Sequence, residues 1–150
     1  MNSMTFVTTV VAAGALGLVA MEIVFWLIGR LGWAKADMIL ALGSLITKSR
    51  ENGFRVGMVI HAASAVVFAL LYTLGLMAIG YTTLPNSLMV GLGVGVLHGL
   101  IVSLMLVWVI AGQHPLEEFK EADLAIGLSH VVAHAAFGAV VGLVVGVVGI

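Results

Sequence analysis

Residues 6–28 read FVTTVVAAGALGLVAMEIVFWLI, an apolar run interrupted by a single charge, Glu22. About 20 apolar residues suffice for a membrane-spanning helix, so this stretch decides that the chain lives in a bilayer. An ionisable group at membrane depth is costly unless something pairs with it, and such a group is by default a functional site with a partner elsewhere in the fold. The search for that partner leads to the histidines.

The remaining composition agrees with a membrane solvent. With 62% apolar and 9% charged residues and a mean hydropathy of +1.23, the chain is excluded from the ordinary soluble class, in which about a quarter of residues are charged. A length of 150 residues has room for about four spans and short connections, with no separate soluble domain. Cysteine is absent, which excludes disulfides, thiolate metal sites and iron–sulfur clusters. No Lys or Arg precedes Phe6, so the first span is expected to be retained rather than cleaved as a signal peptide.

Four apolar stretches lie at roughly 5–28, 54–79, 88–111 and 124–150. Every acidic residue except Glu22 falls in the connections, and the basic ones fall there or at a span's edge. Arg30, Lys35, Lys48, Arg50 and Arg55 border or occupy the first connection, and Lys120 lies in the third. The positive-inside rule therefore puts both connections in the cytoplasm and both termini outside, in the cell's inner (plasma) membrane. Trp26, Trp33 and Trp108 near the inner interface and Tyr81 near the outer one fit that topology.

In the first connection Trp33, Met38, Leu42, Leu45 and Ile46 recur at helical spacing, which predicts a short amphipathic helix lying on the inner surface. It is read as a connector burying one apolar face, or as a lid or partner-docking element. In the third connection, residues 112–123, Pro115 ends the helical pattern and Asp123 is the expected N-cap of the last span. His114 is placed there in water, without a role. The expected fold is an all-α, integral membrane four-helix bundle, a single domain over residues 1–150.

Depth follows from the 1.5 Å rise per helical residue. Counted from the nearest cytoplasmic end, Glu22 lies roughly 12 Å deep, His61 and His130 about 9 Å, and His134 about 15 Å. His98 falls near the midplane. His130 and His134 are four residues apart and address one side of their helix. The stripe His61, Ser64, Ala65, Phe68 and Tyr72 gives the second span a polar and aromatic face, while Gly14, Leu18, Glu22 and Trp26 follow similar spacing in the first. Gly91, Gly95 and Gly99 in the third span, and Gly138, Gly142 and Gly146 in the fourth, form small-xxx-small series that let helices approach closely in lipid. Faces of this kind on two helices predict a homo-oligomer or a subunit of a larger membrane complex, because one bundle need not bury them all.

Carboxylate and imidazole suit zinc, iron or copper, and helix bundles build metal sites from inward-facing side chains. The expectation is therefore a mononuclear transition-metal site formed by Glu22, His61, His130 and His134, with His98 as an outer candidate and the metal compensating the Glu22 charge. The run His130-Val-Val-Ala-His134 lacks the glutamate of an HExxH zinc site, and a single membrane carboxylate is too few for a ferritin-like di-iron centre. Haem b held by two of the histidines is the chemical alternative, with Arg30 and Arg55 at the inner edge to meet propionates. A proton relay coupled to small-ion transport is a third reading, and a non-catalytic accessory subunit a fourth. Eight methionines, among them Met1, Met4, Met21, Met38 and Met58, read as apolar filling. No nucleic-acid partner is expected.

The four-span plan, with a terminal helix that carries His130, His134 and the Gly138–Gly142–Gly146 series, resembles small four-span bacterial membrane proteins of unknown function. That resemblance covers most of the chain and implies an inner-membrane location without implying an activity.

Overall fold

The computed structural model describes residues 2–35 and 37–150; of the positions singled out above, only Met1 lies outside them. The described residues form five α-helices and their connections: α1 (Ser3–Arg30), α2 (Met38–Thr47), α3 (Arg50–Ala78), α4 (Asn86–Met105) and α5 (Leu124–Val148). The α4 axis continues without a break through a π-helical turn, Leu106–Ile110, and a 3₁₀ turn, Ala111–Gln113. Counting that extension, four helices are long and apolar enough to cross a membrane, and their bounds match the expected spans to within a few residues.

Local chemistry sets the ends. Asn2 caps α1 by accepting a hydrogen bond from the Thr5 amide at 2.7 Å, and Asp123 caps α5, as its sequence position predicts, by accepting from the Ile126 amide at 2.9 Å. α3 stops where Gly80 takes φ +74°, a backbone conformation that a side chain disfavours.

The helices close an incomplete ring. α5 is central: it packs along α4 and along α1, and α1 packs in turn on α3. α3 and α4 scarcely touch, so the ring is open between them. The α4–α5 seam is made by the two glycine series facing each other. A Cβ added at Gly91 or Gly138 would collide with the backbone of the other helix, and Gly142 and Gly146 make room for the fully buried Ser87. Each series covers the other within the chain, so these faces are satisfied without a second copy. The half of the bundle away from α2 is filled by Val10, Ala13, Tyr72, Leu76, Val141 and Val145.

The helix expected in the first connection is present as α2, and its predicted stripe divides: Met38, Leu42 and Leu45 are half-buried and turn towards the bundle interior, while the closest contact with α3 is made by other residues. Trp33 and Ile46 are 70% and 62% exposed, whereas Ile39, Gly43 and Ser44 are buried against α3. Gly43 meets Gly53 and Gly57 there, backbone on backbone, which fixes α2 to α3 as one unit. Substitution should separate the glycines that act from those that do not. Gly138→Ala is expected to cost about 1–3 kcal/mol through overpacking. Gly93→Ala, whose new methyl meets nothing within 4 Å, should leave stability unchanged or slightly raised. Unfolding of the detergent-solubilised variants measures both.

Candidate functional site

The open side of the ring holds a cavity of about 350 Å³ that runs from the middle of the bundle to the end carrying α2. α3 contributes His61, Ser64, Ala65 and Phe68, the stripe read from the sequence, and α4 contributes His98. α5 supplies His130, His134 and Phe137 as the back wall. α2 and the connection after α4 close the end, bringing His114 to the lining as well. All five histidines of the chain therefore face one largely apolar space.

Four of them lie within the spans, and in three, His98, His130 and His134, the Nδ1 atom is already hydrogen-bonded. His134 Nδ1 is 2.8 Å from the His130 carbonyl oxygen, and His130 Nδ1 is 2.9 Å from that of Ile126. A carbonyl only accepts, so both rings carry their proton on Nδ1 and present a bare Nε2. His98 Nδ1 meets the Tyr72 hydroxyl at 3.1 Å. His61 Nδ1 faces Glu22 Oε1 at 3.1 Å; both atoms are buried, the angle between them falls short of a hydrogen bond, and neither has another partner. Among the described residues none of the four Nε2 atoms has a hydrogen-bond partner.

The rings are packed as well as tethered. His98 and His134 lie edge to face with centroids 4.6 Å apart, and His130 and His134 stack on successive turns at 6.1 Å. Phe68 covers His98 at 4.2 Å and Phe25 of α1 covers His130 at 5.2 Å. His98, expected as an outer member, is thus beside His134, and its Tyr72 partner is the bundle hydrogen bond that a buried tyrosine requires.

Glu22 stands elsewhere. It lines a shallow groove on the outer side of α1 and α3 with Leu18, Val19 and Met58, and reaches the cavity only through His61. The expected partner is present, then, but Glu22 and the imidazoles of α5 do not share one centre. Among the described residues, no three His, Asp or Glu side chains are drawn together closely enough to hold a metal ion.

His114 corrects the sequence reading outright. It is 3% exposed, not in water: its Nε2–H donates to the Ala41 carbonyl of α2 at 3.0 Å, while its Nδ1 accepts from the Leu116 amide at 3.1 Å. The contact spans 73 positions of sequence, so no local pattern announces it.

Comparison with protein-family models, curated proteins and solved structures finds no match. The site must be read from its own chemistry. Nitrogen-15 NMR of labelled histidine checks the first step: His130 and His134 are expected to show a protonated Nδ1 and a bare Nε2, and Tyr72→Phe should move only the His98 signals. Protonated Nε2 atoms on α5 would remove the inward-facing lone pairs.

Proposed function

We propose that the protein is a multi-pass protein of the inner (plasma) membrane that binds one transition-metal ion, zinc, iron or copper, through the imidazoles of its cavity. The observation that carries this reading is that His61, His98, His130 and His134 all line one cavity, with Nδ1 of three of them held by the protein, that of His61 facing the Glu22 carboxylate, and no Nε2 partnered among the described residues. Metal-bound histidine has this arrangement, since the second ring nitrogen is tied to a carbonyl or carboxylate that fixes the ring and raises its basicity. Glu22 then acts on His61, as a carboxylate behind a ligand, and not as a ligand itself.

Ligand nitrogens about 3.3 Å apart suit a tetrahedral ion with metal–nitrogen bonds of about 2.0–2.1 Å. Among the described residues the imidazoles are not drawn to that spacing, so His98, His130 and His134, with His61 from the α3 wall, would have to approach one another when an ion binds. Haem finds less support, because an axial pair binds from opposite faces and must let the thickness of a macrocycle pass between its rings. His98 and His134 are in edge contact. Proton transfer remains compatible with the Glu22–His61 pair, but does not account for the orientation of the three other rings.

Positive-inside placement gives the sidedness: α2 and the connection after α4 in the cytoplasm, both termini outside. Elemental analysis and metal titration of detergent-purified protein test the reading. About one equivalent of a transition metal is expected, lost in His134→Ala and bound about 10–100-fold more weakly in Glu22→Gln. Protein that takes up none of the three ions, or a Soret band in the purified chain, would sink it.

A further inference from the structure

We propose that the cavity is filled from the end carrying α2, through a mouth that opens when the α2–α3 unit swings away from the α4–α5 unit, and that two polar links hold this mouth shut. The two units are each welded by glycine. Gly43 meets Gly53 and Gly57 in the first, and Gly91 and Gly95 meet the α5 backbone in the second. Contacts so close leave little room for sliding within a unit. Between the units the packing is sparse, because α3 and α4 scarcely touch, and α1 is the element that holds both. The weak seam of the bundle thus coincides with the cavity.

At the mouth this seam is bridged twice. His114, from the connection after α4, donates to the Ala41 carbonyl of α2, and Arg50, at the start of α3, forms an ion pair with Glu118 of the same connection. Both links join one unit to the other at this end, while deeper in the bundle the Tyr72–His98 hydrogen bond also crosses the seam. The charged side chains that line the cavity, Lys35, Glu118 and Glu121, all lie at this end. A hydrated cation arriving from water would meet two carboxylates there before it met the imidazoles of the spans. The lateral gap between α3 and α4 is lined instead by Phe68, Ile101 and Met105, which offer such an ion nothing in exchange for its water.

As a route for the ligand, this proposal rests on the cavity being a ligand site, but the mouth itself is testable without any metal. The chain contains no cysteine, so Ser64→Cys places a single thiol on the cavity wall by exchanging one oxygen for sulfur. Its rate of modification by a charged, membrane-impermeant methanethiosulfonate, with the protein in nanodiscs, reads the opening of the mouth. Loss of the hydrogen bond in His114→Ala should raise that rate about three- to tenfold. Arg50→Glu, which sets like charges against each other, should raise it about two- to fivefold, and the exchange Arg50→Glu with Glu118→Arg should bring it back. The exchange guards against a trivial loss of folding, since a damaged fold would not be repaired by reversing the pair. Rates unchanged in both single variants, or a rate that the exchange fails to restore, overturn the proposal. Absence of metal binding with these rate changes intact would leave the mouth standing and remove only the identity of what passes through it.

Discussion

The close backbone contact between α4 and α5 is the constraint on which the site depends. Gly95 lies against the carbonyl of His134, and Gly99 against Val131 and the carbonyl of His130. His98 sits between those two glycines in sequence, so the same contact that joins the helices sets its ring beside that of His134. In lipid such an approach is stabilised by van der Waals contact, because burying apolar surface gives no advantage over the acyl chains. A side chain at either glycine would push the helices apart and separate the two rings. Packing and site geometry are here one requirement.

The His130 carbonyl does two things at once. It faces Gly99 of α4 and accepts the Nδ1 hydrogen bond of His134. Each α5 imidazole is therefore anchored to the backbone one turn earlier, which satisfies a polar nitrogen within the helix and leaves no need for an interhelical partner. Tyr72 of α3 holds His98 at Nδ1, whereas Glu22 of α1 faces His61 Nδ1 without a hydrogen bond. Three of the four rings are thus held at one nitrogen, and none of the four has a hydrogen-bond partner at the other among the described residues. Bare Nε2 atoms in an apolar space, as on His130 and His134, are costly as hydrogen-bond acceptors with nothing to accept, and that cost is what a shared cation would relieve.

Much of this was legible in the sequence, for a physical reason. Bilayer thickness and the helical rise convert residue number into depth, so the slab containing His61, His98, His130 and His134 could be drawn before any contact was known. Periodicity likewise gave the α3 stripe from His61 to Phe68 that lines the cavity. Depth does not give direction around the bundle, however. Glu22 has the right depth, but its face of α1 meets the edge of α3 and not the centre, and which helices would be neighbours could not be read from spacing. The glycines of α4 and α5 were recognised as packing devices without any sign that each series would be the partner of the other. Gly53 and Gly57 carry the same small-xxx-small signal and would have located the α2 contact; the apolar side chains of α2 were the more conspicuous and less informative pattern.

His114 shows where local reading ends. Flanked by a proline and followed by acidic residues, it has the composition of a solvated loop, and its burial is created by a helix far away in the sequence. Such a residue is placed by tertiary structure alone. Its position joins two features that looked unrelated, a surface helix in one connection and a polar loop in another, and makes them the closure of one cavity. An apolar chamber needs that closure because imidazoles open to bulk water would be hydrated and would compete poorly for a ligand. Under the proposed ligand-binding role the closure must also be weak, so that a ligand can arrive. One hydrogen bond and one exposed ion pair meet both conditions, where the interlocked glycines used elsewhere in the bundle would not.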